Sequence, residues 1–404
     1  MTLPEQTTLN SIIASVFRID DVTAGDSKEY LYRYRGLLTA SDSAAAYDQV
    51  ADALRPHGLT PLFRKEENGG HLIFLARTPP PPAPSNPRTN IILFILTVLS
   101  MMVAGVQIPE GVSIPQDFIG QFLLTFQYML TGWPFALSLM SILLAHEFGH
   151  YFASRYHKTA ASLPYFIPMP LPPFGTLGAV IQLKEAPKNK RTLLDIGIAG
   201  PLAGLVVAIP ILIVGLQQSE LSTIPNDPQT LIEGNSILYL LTKFVVFGQL
   251  LPAPANYDTL PPILHWIVYF FTGTPVPAGG TDVLLNQVAW AGWVGLLVTS
   301  LNLIPAGQLD GGHVMYVLFG GKRLRAMLPV LMVILGILSV FSVSWLLWIV
   351  LLNFFGRMTD EPKDQITELG PARRALAIFG LIVLLLVFMP APIPSSIFSL
   401  FTPQ

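Results

Sequence analysis

The stretch PFALSLMSILLAHEFGHYFAS, Pro134–Ser154, decides how the rest of the chain is read. A helix needs about 20 apolar residues to cross a bilayer, and this stretch has that length and character. It nonetheless carries His146, Glu147 and His150. Ionisable groups in the hydrocarbon layer cost at least ~2.5–3.5 kcal/mol each and are functional by default. Three together need a ligand to hold them there.

Working outward, the composition agrees with a membrane setting. The 404 residues are 51% hydrophobic and 12% charged, against about 25% charged in an average soluble chain. The apolar content excludes disorder, and a net charge of −2 excludes a nucleic-acid binder. With no cysteine, a disulfide scaffold and a thiolate metal site are both excluded.

Charge is concentrated at the front. Residues 1–88 hold 19 of the 48 charged residues, which predicts a soluble α+β domain over 1–77. Within it, Tyr30–Leu37 alternates as a strand, and Ser41–Arg55 has helical spacing with Ser41 as N-cap. Leu59–Arg64 and His71–Leu75 form a hairpin around Asn68-Gly69-Gly70, giving a β-α-β-β module. No catalytic residue stands out there, so its expected role is packing or docking a protein partner. A stiff proline-rich linker follows over 78–90, and the membrane domain occupies 91–404. The first long apolar run begins near residue 90, too late for a cleaved secretory signal.

Spans are expected at Thr89–Ile108, Pro134–Ser154, Leu193–Leu216, Leu284–Ile304 and Ala375–Met389. The apolar run Ala326–Phe355 is interrupted by Phe341-Ser342-Val343-Ser344. Six Lys/Arg lie in 155–191 and four in 357–374, while 218–283 holds one basic residue, Lys243, and five acids. Basic loops stay inside, so 155–191 and the front domain are cytoplasmic. Keeping 357–374 inside as well makes 326–355 a tight hairpin, for about seven spans. Phe118–Leu130 and Ser236–Leu251 read as interfacial helices; a membrane hairpin over 236–272 is an alternative that leaves the parity unchanged.

On a helix, positions i and i+4 share a face, so His146 and His150 can reach one metal. Zinc accepts neutral imidazole nitrogen. Glu147 stands beside them, where a base could take a proton from metal-bound water. A catalytic zinc site wants three protein ligands, and the candidates at membrane depth are Asp195, Asp310 and His313. Asp310 lies in NLIPAGQLDGGH, Asn302–His313, where Pro305, Gly307, Gly311 and Gly312 break the helix. Irregular backbone at that depth survives where it is buried in protein or lines a wet cavity. Asp195 sits close to the basic run 188–191 and reads as an interfacial carboxylate. His313 reads as a residue of the cytoplasmic surface, or as a hydrogen-bond donor to a ligand.

HEFGH in one span and NLIPAGQLDGGH 160 residues on together resemble the site-2 protease family of intramembrane zinc metalloproteases. FGTLGA at Phe174–Ala179 and GPLAG at Gly200–Gly204 match its pattern as well. The resemblance covers residues 85–395. It is similar to the branch of photosynthetic and other bacteria and plastids, with a soluble N-terminal domain and no PDZ domain. It implies a polytopic α-helical membrane protein with a three-helix catalytic core and a re-entrant β-loop. It implies His146, His150 and Asp310 as ligands of one zinc ion, Glu147 as general base and acid, and Asn302 as a holder of the substrate carbonyl. It also implies a substrate-pairing loop over Phe174–Gln182, with Gly175, Thr176, Leu177 and Gly178 against the substrate strand. The prolines of Pro164–Pro173 keep that loop from becoming helical.

The expected activity is hydrolysis of peptide bonds in transmembrane or membrane-anchored proteins by zinc-activated water. The expected setting is a bacterial cell membrane or its plastid equivalent, with active site and N-terminal domain towards the cytoplasm. The partners are a substrate helix and the lipid bilayer, without nucleic acid. The alternative reading is a metal or proton transporter built on the same buried ligands.

Overall fold

The computed structural model describes residues 5–25, 30–66, 68–80, 86–171, 173–225, 232–257, 261–274, 279–358 and 360–394. The core of the expected proline-rich linker, 81–85, lies outside them.

The front of the chain runs α1 (Gln6–Ala14), β1 (Phe17–Ala24), β2 (Tyr32–Leu38), α2 (Ser43–Leu54), β3 (Leu59–Lys65) and β4 (His71–Arg77). Its antiparallel sheet has the order β1-β2-β4-β3, and the hairpin pairs Leu59 with Arg77 through Lys65 with His71. The expected β-α-β-β module is therefore extended by a helix and a strand. β1 was invisible because FRIDDVTA carries four polar or charged residues and covers only an edge. The cap of α2 is Asp42 rather than Ser41: its carboxylate accepts the N–H groups of Ala44 and Ala45. Leu9, Ile13, Tyr34, Val50, Leu54, Phe63 and Ile73 fill the core between helices and sheet.

The body begins with α3 (Pro87–Ala104), capped by Asn86, whose side chain accepts Arg88 N–H at 3.1 Å. α4 (Phe118–Tyr128) buries no residue. It leads into α5 (Trp133–Tyr156), with Pro134 in the first turn where its missing N–H costs nothing. A hairpin of β5 (Tyr165–Pro168) and β6 (Thr176–Val180) precedes α6 (Lys190–Gln217), capped by Asn189. Then come β7 (Glu220–Thr223), α7 (Ile237–Phe247), α8 (Pro262–Thr272) and β8 (Thr281–Leu284), with β7 paired to β8. The chain closes with α9 (Gln287–Asn302), α10 (Asp310–Phe319), α11 (Gly321–Leu338), α12 (Ser344–Phe355) and α13 (Pro371–Val387).

Among the described residues, α3, the α4–α5 stretch and α6 are long and apolar enough to cross a membrane. α9 and α13 are shorter, with 16 and 17 residues. The 326–355 stretch does fold back on itself: Leu328 near the start of α11 meets Gly356 just after α12. Leu335, Trp345 and Leu352 pack with Leu328 in one cluster.

α5, α6 and α9 pack against one another around a core containing Leu139, Leu143, Ala208, Leu212, Trp293 and Leu296. Small residues permit this. A Cβ on Gly292 would stand 2.7 Å from Leu212 Cα, and one on Gly149 2.6 Å from the Ala199 carbonyl oxygen. Without water to drive helices together, such close backbone contact supplies the attraction.

Segment 360–369, after α12, ties the front domain to the body. Phe63 N–H donates to the Lys363 carbonyl at 2.9 Å, and Gln365 N–H donates back to the Phe63 carbonyl at 3.0 Å. On its other side, Lys363 and Asp364 N–H donate to the Pro187 and Lys188 carbonyls at 2.9 and 2.8 Å. Ile366 completes the front domain's core, and Arg64 reaches the Pro362 and Lys363 carbonyls at 3.2 and 2.8 Å.

Candidate metal centre

Two helices and one turn build the centre. His146 and His150 leave α5 on the same face and are buried, at 3% and 7% exposure. The third arm depends on how α9 ends. Leu303–Leu309 is irregular, with Gly307 in the left-handed region at φ 56°. Helix resumes at Asp310, so Gly311 and Gly312 lie inside α10 rather than in the break. Their lack of a side chain lets the preceding turn lie against α10, since a Cβ on Gly311 would meet the Ile304 carbonyl oxygen at 2.7 Å. Asp310 thus starts a helix and turns its carboxylate towards α5.

The three side chains converge. His146 Nε2 and His150 Nε2 are 3.2 Å apart, and they lie 3.4 and 3.3 Å from the two carboxylate oxygens of Asp310. Tetrahedral ligands at about 2.0–2.1 Å from zinc stand about 3.3–3.4 Å from one another, so the spacing fits that ion. The tautomer fits as well. His150 Nδ1 is 2.7 Å from the Ile196 carbonyl and must donate to it. That leaves a lone pair on Nε2, facing His146 and a carboxylate, which is an arrangement a cation would hold together. Among the described residues this is the one such cluster of His, Asp or Glu side chains.

Glu147 is buried at 4% exposure, next to both histidines in α5. Asn302, the last residue of α9, places its amide nitrogen 3.4 Å from His146 Nε2. α6 lies directly behind the ligands: its Gly200 faces the His150 ring and Gly204 the His146 ring.

The other two sequence candidates lie elsewhere. Asp195 is held by Arg373, at 2.9 and 2.7 Å, and by His157 at 2.9 Å. It pairs with a basic residue, though one from α13 rather than from 188–191. His313 is not on the surface: it is 8% exposed, packs on Gly197, and puts Nε2 3.3 Å from Asp360. The Ile196 carbonyl was illegible in sequence, because every residue has one. Asp360 sits in no motif.

The hairpin places Gly175 at φ 72° and Gly178 at φ 95°. Gly175 lies against α3, where a Cβ would meet Met101 Cα at 2.6 Å; Gly178 faces open space. Thr176 is buried and its hydroxyl donates to the Ile167 carbonyl at 2.9 Å, while Leu177 is exposed. Asn90 of α3 donates to the Leu163 and Pro164 carbonyls, and Trp290 of α9 to that of Pro173. β6 has no strand on its outer side among the described residues.

Two histidines and a carboxylate buried in an apolar helical body are the kind of three-ligand set that a catalytic zinc ion uses. Residues 134–343, just over half of the chain, match Peptidase family M50, and the chain belongs to that family, the site-2 proteases. It is 29% identical over 314 residues to "Probable zinc metalloprotease EGY1, chloroplastic" of Arabidopsis thaliana, covering 74% of this chain and 52% of that protein. The protein of the same name from Oryza sativa subsp. japonica is 29% identical over 247 residues, 57% of this chain and 38% of its own. "Probable zinc metalloprotease EGY2, chloroplastic" of Arabidopsis thaliana is 28% identical over 263 residues, 65% of this chain and 42% of its own. The chain thus spans about half the length of the curated relatives it matches, or less. No solved structure matches it.

Proposed function

We propose that this chain is an intramembrane zinc endopeptidase that cuts transmembrane or membrane-anchored proteins in regulated intramembrane proteolysis. The observation that carries the reading is the convergence of His146, His150 and Asp310 at 3.2–3.4 Å. Membership of family M50 and the naming of the EGY relatives as probable zinc metalloproteases support it.

His146, His150 and Asp310 would hold the zinc. When bound, it supplies a Lewis acid that lowers the pKa of water to about 7 and polarises the scissile carbonyl. Glu147 takes the proton of the attacking water and hands it to the leaving amine. Asn302 donates to the carbonyl oxygen as charge develops there. A substrate helix hides its peptide bonds in its own hydrogen bonds and must unwind first. Pairing with the outer edge of β6, along Thr176, Leu177 and Gly178, offsets the bonds it gives up; Gly175, whose N–H and carbonyl are bonded to Leu171 and Met169, sets the turn before that edge.

The reading includes a soluble domain over 1–77, a linker over 78–90 and about seven spans in 91–404. The membrane is that of a bacterial cell or its plastid counterpart, with the front domain and the metal centre towards the cytoplasmic side. The basic loops 155–191 and 357–374 support that orientation.

The test is Glu147→Gln in the full chain. Metal content is expected to stay at one zinc per chain, while cleavage of a membrane-anchored reporter is abolished. Full cleavage by the variant refutes the reading, and zinc flux into liposomes that survives the substitution would replace it with transport.

A further inference from the structure

Segment 360–369 does more than fasten two domains. Its first residue, Asp360, accepts Gln308 Nε2 at 2.9 Å and faces His313 Nε2 at 3.3 Å. Those two residues bracket Asp310, two before and three after. Behind Asp360, the segment's backbone is sewn to Phe63 on one side and to Pro187 and Lys188 on the other. Buried Asp364 caps the segment's own turn, accepting the N–H groups of Ile366 and Thr367 at 2.9 and 3.1 Å. Further on, Arg373 clamps Asp195, the neighbour of the Ile196 whose carbonyl orients His150. One run of chain therefore touches the supports of two metal ligands, and its middle is rooted in the front domain.

We propose that Asp360 is a positioning residue for the Asp310 arm of the metal centre, and that the front domain holds it in place through segment 360–369. The proposal rests on the metal-centre reading above.

The turn Leu303–Leu309 explains why such a brace is needed. It is irregular, so the helical ladder of α9 does not run through to Asp310, which stands at the first, least bonded turn of α10. Gln308 and His313 are tethered instead from outside, by both oxygens of one carboxylate. Arg64 carries the constraint back to the sheet, because its guanidinium reaches the carbonyls of Pro362 and Lys363 next to Asp360. Neither Asp360 nor Arg64 belongs to the ligand triad, so both can be replaced while all three ligands stay.

The experiment loads the purified full chain with Co²⁺, reads its visible absorption, and titrates the ion away with a chelator. Hydrogen exchange over residues 303–314 is followed in parallel. Asp360→Asn is expected to lower ion affinity about tenfold, within the range for groups that orient ligands, and to speed exchange in that window. Asp360→Glu restores part of both, and Arg64→Ala moves both in the same direction by less. An Asp360→Asn protein with unaltered affinity and exchange overturns the proposal while leaving the metal reading intact. An unaltered Arg64→Ala protein overturns the front domain's part in it. Failure of the natural chain to take up Co²⁺ at all overturns the metal reading, and this proposal with it.

Discussion

Replacing Gly200 by alanine would put a methyl group into space held by the His150 imidazole. The added Cβ would stand 2.5 Å from Cε1, with Nε2 and Cδ2 nearer still. Carbon contacts are comfortable from about 3.5 Å, so the ring or α6 must retreat by at least about 1 Å. Such sites tolerate about 0.5 Å of displacement, and a 1 Å error costs about 10²-fold in rate. Gly204→Ala, one turn further along the same helix, is the matched control. Its Cβ would lie 3.3 Å from His146 Cβ and Nδ1, an overlap of only a few tenths of an ångström on the same scale. Both substitutions exchange glycine for alanine in α6, but Gly200 also precedes Pro201, whose ring crowds a Cβ on the residue before it, so Gly200→Ala carries a backbone cost in addition to the clash with the ring. Gly200→Ala is expected to lose metal affinity about 10–100-fold and reporter cleavage about 10²-fold. Gly204→Ala should stay within about threefold of the natural chain, the smaller overlap scaling to a correspondingly smaller loss. Chelator competition reads the first quantity and cleavage of a detergent-solubilised reporter the second. Equal losses in the two variants, or an unaffected Gly200→Ala, would refute the reasoning.

Two further outcomes follow from charges away from the centre. Lys243 is fully buried, with Nζ 3.3 Å from Asp282 and 3.7 Å from Glu233, over the ring of Tyr239; Lys243→Met strands two carboxylates and should cost about 3–5 kcal/mol of stability, read as denaturant unfolding in detergent, and a loss below about 1 kcal/mol, the scale of an exposed pair, refutes it. Burial pushes the Glu185 carboxyl up, but the Ala160 N–H and the Lys363 ammonium outweigh it and hold the group below its usual value. A depressed folded pKa stabilises above the ordinary glutamate value, about 4.3, and that contribution fades as pH falls through the folded value; thermal unfolding of Glu185→Gln should lack this acid limb, and identical acid limbs refute it.

The convergence of His146, His150 and Asp310 was legible because the candidate centre is written in side chains. HEFGH puts two histidines on one helical face by periodicity alone, and Pro305 and Gly307 ahead of Asp310 announce a turn. What was hidden depends on backbone or on partners far along the chain. The Ile196 carbonyl that orients His150 has no letter of its own. Asp360 meets Gln308 and His313 across about 50 residues, with no spacing rule to connect them. Of the two readings of His313, the cytoplasmic surface is overturned, because the close approach of Gly197 buries it. In the front domain α1 and β1 went unread, since a short helix and a polar edge strand carry little periodicity.

The hairpin of α11 and α12 bears on the lipid as much as on the protein. The 12 residues of α12 rise about 18 Å, and the hydrocarbon layer is about 30 Å thick. On the proposed reading that makes this hairpin a pair of spans, acyl chains beside it shorten their reach or tilt to keep the helix ends in contact with headgroups, at a fraction of a kcal/mol for each ångström of mismatch. On the proposed seven-span reading the bilayer is thinned on that flank of the molecule. On that reading activity should depend on acyl-chain length in the surrounding membrane, with thinner bilayers accommodating this flank at the lower elastic cost.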